Sequence, residues 1–146
     1  RKQLLPLLLS QFVGSLVGIL SVCYIAKALG AEENIIRSLA PKSVTTPIAL
    51  EVSKTLILYA VFRRFMVLAV IVTGILGSIL GFKVLQWTGI KSPMGRGISL
   101  GTASHALGIM AAFNLSEKHA IYASLGMIFN GIFTAVLAPI VMPFIL

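Results

Sequence analysis

Ser38-Leu39-Ala40-Pro41-Lys42-Ser43-Val44-Thr45-Thr46-Pro47-Ile48-Ala49 lies inside a run, Ile35 to Phe62, that is apolar on average. The run nevertheless carries Arg37, Pro41, Lys42, Ser43, Thr45, Thr46, Pro47, Glu51 and Lys54. Each proline removes a backbone donor and pushes the residue before it out of the α region. A continuous lipid-facing helix does not fit such a segment. Non-helical backbone at membrane depth is tolerated only where it is buried in protein or lines a watery cavity. The stretch therefore reads as a discontinuous or re-entrant element, and as the place to look for function.

The membrane context comes from the rest of the chain. Of its 146 residues, 58% are hydrophobic and only 11% charged, with a mean hydropathy of +1.00. A soluble domain carries about 25% charge, so these side chains could not cover a soluble surface. Disorder needs the opposite composition, low hydrophobicity and high charge. An all-α integral membrane protein follows, a multi-pass helical bundle of one domain spanning 1–146. Leu4 to Ala26, Phe65 to Phe82 and His119 to Leu146 are uncharged and long enough to cross the hydrocarbon. Pro139 and Pro143 are expected to break or kink the end of the last run.

The net charge is +8, from 12 Lys and Arg against 4 acidic residues. The basic residues stand singly or in pairs between apolar runs (Arg1-Lys2, Arg63-Arg64, Lys83, Lys91, Arg96, Lys118), as loop charges flanking spans do. They do not alternate with stacking aromatics, so no nucleic-acid partner is expected. The lone Cys23 excludes an intrachain disulfide. The first apolar run has no small-residue cleavage site and is not read as a signal peptide.

A second irregular segment is Gly97-Ile98-Ser99-Leu100-Gly101-Thr102-Ala103-Ser104-His105-Ala106-Leu107-Gly108. Its glycines Gly97, Gly101 and Gly108, like Pro41 and Pro47 in the first segment, are expected to break the helix. A shift of 59 lays the first segment on the second, placing Gly30 on Gly89, Arg37 on Arg96 and Ser43 on Thr102. An internal repeat is one reading of this; whether it is inverted depends on whether each broken element crosses. About five membrane-embedded elements result, two of them discontinuous. Interrupted segments at matching positions in two halves point to a transporter binding site. Gly14/Gly18, Gly77/Gly81 and Gly97/Gly101 each place two glycines on one helix face for close packing.

The candidate substrate-binding residues are Lys42, Ser43, Thr45, Thr46, Thr102, Ser104 and His105. Lys42 offers a counter-charge to an anion, or snorkels, or pairs with Glu51. The hydroxyls bond either substrate or their own helix backbone. His105 and Glu51 are the candidate proton carriers; His105 could equally be a neutral ring bonded to Ser43 or Thr46. Glu51 could equally pair with Lys54 three residues on. Asn114 and Asn130 read as interhelical hydrogen-bonding residues. No metal ligand cluster, cofactor motif, phosphate loop or nucleophile–base pair is apparent, and no enzymatic activity is expected.

The two quoted segments, in this order and spacing, resemble the signature of the LrgB/CidB family of bacterial membrane proteins, as does Val70-Ile71-Val72-Thr73-Gly74-Ile75-Leu76-Gly77. The resemblance covers essentially the whole chain and implies the C-terminal part of a typical member, in the bacterial plasma (inner) membrane. Two departures stand out. Leu56 to Arg64 replaces a usual Gly-Gly-Ile-Pro turn, and Ile109 replaces a usual Thr. The resemblance implies holin-like or antiholin-like control of murein hydrolase activity and cell lysis, with an LrgA/CidA-like membrane partner and homo-oligomerisation. It equally implies kinship with the plastid glycolate/glycerate translocator, hence transport of a small carboxylate ligand of the pyruvate, glycolate and lactate class across the lipid bilayer.

Overall fold

The computed structural model describes residues 4–56 and 59–146, and the chain there is helical. The pair Arg1-Lys2, and Ile57-Leu58 within the replaced turn, lie outside the described residues. Six helices follow in order: α1 Leu4–Ala28, α2 Glu33–Leu39, α3 Thr46–Leu56, α4 Ala60–Trp87, α5 Pro93–Phe113 and α6 Glu117–Ile145. Only α1, α4 and α6, of 25, 28 and 29 residues, are long and apolar enough among the described residues to cross a membrane. At about 1.5 Å per residue each exceeds the ~30 Å of hydrocarbon.

The bundle carries its polar groups inside. α1 buries Leu7, Gln11, Ser15, Ile19, Cys23 and Ala26, one stripe at near-i,i+4 spacing, and turns Leu9, Val13 and Val17 outward. Lipid tails are as apolar as leucine, so helices associate through close packing of small residues and polar contacts. α6 follows the same logic, burying Ala120, Ala123, Gly126, Asn130, Gly131, Thr134 and Ala138.

Contacts fix the directions. Near the start of α1, Gln11 accepts a hydrogen bond from Thr102 of α5; midway, Ser15 bonds Asn130 of α6. At the end of α1, Lys27 donates to the Ile145 carbonyl at the end of α6. α1 and α6 therefore run parallel. α4 runs against the first arm of α5, with Gly81 facing Leu100 and Gly77 facing Ser104.

α5 enters and returns. His105, at φ 51° and ψ −130°, leaves helical geometry, and the chain folds back there. Gly108 consequently packs on the Leu100 carbonyl; in a straight helix two residues so spaced would stand about 12 Å apart. The arm from Pro93 to Ser104 packs along α4 and α6, and the return arm brings Ala112 into the apolar cluster of Leu85, Leu100 and Ala123. Neither arm exceeds ~18 Å, too short to cross. α5, Pro93–Phe113, is thus a half-membrane hairpin, and its break falls at His105 rather than at Gly97, Gly101 or Gly108. Those glycines stay helical because their missing side chains admit neighbouring backbone: His119 and Ala123 of α6 at Gly97 and Gly101.

α2 and α3 make the other hairpin, from the opposite face. α2 follows the end of α1, and the Ile36 carbonyl lies beside Cys23. The backbone leaves helix over residues 40–45. α3 starts where Thr46 and Pro47 share a cavity with Val70 and Gly74 of α4, and ends at Leu56, close in sequence to the start of α4. It therefore runs back along the first half of α4. Pro41 follows the last turn of α2, and Pro47 sits in the first turn of α3, where its missing N–H would have no helical partner anyway.

The break allowed for at the end of the chain does not occur. α6 continues through Pro139 and Pro143 to Ile145. Ala138, Met142 and Ile145 are buried in the main apolar cluster, and Lys27 satisfies the final Ile145 carbonyl. Packing there outweighs the two missing backbone donors.

Candidate functional site

The two hairpins enter from opposite faces, and their tips meet halfway along the spans. Asn130 of α6 joins them. Its amide nitrogen donates to the Ser43 carbonyl in the first tip and, at 3.5 Å, to the Thr102 carbonyl in the second. Its oxygen accepts from the Ser15 hydroxyl at 2.7 Å, and Thr102 donates to Gln11 at 2.9 Å. Asn130 is only 2% exposed, and both its amide nitrogen and its oxygen are bonded. The interhelical role expected for Asn130 is met; Asn114 instead caps the end of α5. Gln11 and Ser15 were not singled out in the sequence. Their signal was there: two polar residues four apart, on one face of an otherwise apolar span.

The seven candidate binding residues all lie at the tips, but they divide among three cavities. Lys42 and Ser43 line one of about 470 Å³, walled by Thr73, Gly77 and Gly81 of α4 and Ser99 and Ala103 of α5. Thr102 and Ser43 line another, of about 590 Å³, with Gln11, Ser15 and Asn130. Thr45, Thr46, Ser104 and His105 line the smallest, about 280 Å³. Ser43, Ser99 and Ala103 border both larger cavities and separate them.

Lys42 donates to the Ser43 hydroxyl at 3.1 Å, and no carboxylate among the described residues pairs with it. Glu51 pairs instead with Lys54 at 2.6 Å, on the exposed side of α3. The pairing within α3 holds; the pairing of Lys42 with Glu51 does not. Both ring nitrogens of His105 and the Ser104 hydroxyl are buried without a hydrogen bond of good geometry, and the His105 ring lies beside the Lys42 backbone of the other tip. The expected bond from His105 to Ser43 or Thr46 is therefore absent. Ser43 is turned to other partners, its hydroxyl accepting from Lys42 and its carbonyl from Asn130. Among the described residues no group of three or more His, Cys, Asp or Glu could hold a metal ion.

Three apolar spans with two half-length polar hairpins between them make this a multi-pass helical membrane protein. It belongs to the LrgB-like family, whose model matches residues 1–144. It is 36% identical over 148 residues to the "Uncharacterized protein YwbG" of Bacillus subtilis (strain 168), covering 99% of this chain and 63% of that one. It is 35% identical over 133 residues to the "Antiholin-like protein LrgB" of Bacillus cereus (strain B4264), covering 91% of this chain and 56% of that one. The chain thus spans about 56–63% of the length of these relatives. No solved structure matches it.

Proposed function

We propose that this chain forms the substrate pathway of a secondary transporter for small monocarboxylates of the pyruvate, glycolate and lactate class. One observation carries the reading: Lys42, at a hairpin tip, borders a 470 Å³ cavity with no acidic partner among the described residues. A desolvated cation without a partner is costly, and an anion entering that cavity would supply one. Ser43 and Ser99 offer hydroxyls beside it. The freed backbone of a broken element offers further donors, the arrangement that discontinuous helices provide in transporters.

The test is counterflow of labelled pyruvate and glycolate in proteoliposomes. Saturable exchange that is lost in Lys42→Ala supports the reading; exchange unaffected by Lys42→Ala contradicts it.

The name of the Bacillus cereus relative, antiholin-like, favours a second reading as a lysis regulator acting through oligomers with an LrgA/CidA-like partner. Gly14 and Gly18 bear on it, since nothing lies within 4 Å of the side-chain position of either, and the 590 Å³ cavity they border leaves room there for a side chain of another helix. Unselective dye leakage in place of saturable exchange would support that reading.

A further inference from the structure

The two halves of the chain contain the same parts in opposite orientation. α1 crosses one way and is followed by the α2–α3 hairpin; α4 crosses the other way and is followed by the α5 hairpin. Two glycines with positive φ occur among the described residues, Gly30 at 76° and Gly89 at 69°. They end α1 and α4, and they stand 59 apart, the shift that aligns the two polar segments. A glycine in the left-handed conformation is a common way to end a helix, so the match draws its weight from the shared shift of 59 and not from the conformation alone.

The same shift places Ser43 on Thr102, and the carbonyls of these two residues are the ones that Asn130 binds. An asparagine amide has two donor hydrogens, and here both go to positions equivalent under the repeat. We infer that α1–α3 and α4–α5 are inverted-topology repeats and that Asn130, on α6 outside both, is a positioning residue on their pseudo-two-fold axis. It holds the two hairpin tips in register through matching carbonyls.

The two bonds are unequal: that to Thr102, at 3.5 Å, is long for a hydrogen bond, and that to Ser43 is the shorter. Inverted repeats permit a second state in which the halves exchange conformations. In that state Asn130 closes on Thr102 and slackens on Ser43. The amide then stays buried and bonded throughout, which lowers the cost of moving between the states. The part played in transport rests on the transporter reading; the register of the tips does not.

The experiment uses the chain in sealed vesicles with Cys23→Ser as background. Single Ser43→Cys and Thr102→Cys reporters are labelled with a membrane-impermeant maleimide, each with Asn130 kept or changed to Leu or Gln. Asn130→Leu keeps similar volume without donors and should raise labelling at both reporters together; Asn130→Gln, which keeps the amide, should restore it. Maximal exchange should fall about tenfold in Asn130→Leu, the worth of one buried hydrogen bond, with KM little changed. If Asn130→Leu fails to insert, Asn130→Ser takes its place with the same readouts. Labelling that changes at one reporter only, or at neither, overturns the inference. So does a raised KM with maximal exchange intact, which would put Asn130 in the ligand site. If both reporters respond but the unsubstituted protein exchanges no monocarboxylate, the transporter reading fails and the register stands.

Discussion

The two hairpin tips solve the same problem by different means. The first turns gradually over residues 40–45, with Pro41 inside the turn and Pro47 just after it, and with turn bonds from Lys42 N to Leu39 O and Val44 N to Pro41 O. No residue in it has positive φ. The second turns at one residue, His105, in a backbone region that favours glycine. Such a conformation costs of order 1–3 kcal/mol and persists only where surrounding packing imposes it. That packing is visible: Gly97 and Gly101 seat the entering arm on α6, while Gly77 and Gly81 admit it to α4. One tip is shaped by its own composition and carries a charge. The other is clamped from outside and carries unpartnered polar groups.

The clamp gives the largest expected effect. A side chain at position 101 would strike the Ala123 backbone, which cannot swing aside. Gly101→Leu should destabilise the protein by about 3 kcal/mol or more, since overpacking a filled contact forces backbone shifts. Gly14→Leu, with nothing within 4 Å, should stay within about 0.5 kcal/mol. Thermal unfolding in detergent separates the two, and equal losses would break the contrast between clamped and open faces.

Lys42→Ala addresses the charged tip. Exchange should drop by roughly 10- to 100-fold, the range for losing a charge-assisted hydrogen bond to an anion. Thermal stability should hold or rise, because a cation without an acidic partner has been removed. A large loss of stability would instead make Lys42 a structural residue.

At the second tip, His105→Gly relieves the positive φ and should raise stability by about 1 kcal/mol, while His105→Ala keeps the strain and should not. Exchange should fall in both if the ring serves the substrate path. A His105→Gly protein less stable than His105→Ala would show that the tip is not strained. The smallest effect belongs to Glu51→Gln. The Glu51–Lys54 pair is exposed, so its removal should change stability by less than about 0.5 kcal/mol.

The helical class and the three spans were legible from charge-free runs alone, and residues 35–62 were read as interrupted from Pro41 and Pro47. The position of the second break was not. Glycine was expected to break the helix, yet Gly97, Gly101 and Gly108 remain helical and the turn falls on His105. Glycine's low helix propensity is outweighed where its lack of a side chain lets two backbones meet, and no local pattern marks which of the two effects wins. Pro139 and Pro143 do not end the helix either, because burial of Ala138, Met142 and Ile145 holds it through them. At the site, sequence picked out the tip residues but not their division among three cavities, nor Gln11 and Ser15. Those depend on which faces of α1, α5 and α6 meet, a property of packing between distant segments.

The central claim, that the α5 hairpin enters and leaves by one face, has a direct test. Single cysteines at Ser92 and Asn114, on either side of the hairpin, and at Glu32, before α2, are placed in a Cys23→Ser background. Each is exposed to a membrane-impermeant maleimide in right-side-out and in inverted vesicles. The account predicts that Ser92→Cys and Asn114→Cys label from the same face, and Glu32→Cys from the other. Labelling of Ser92→Cys and Asn114→Cys from opposite faces would mean that α5 crosses the membrane, and would contradict the account.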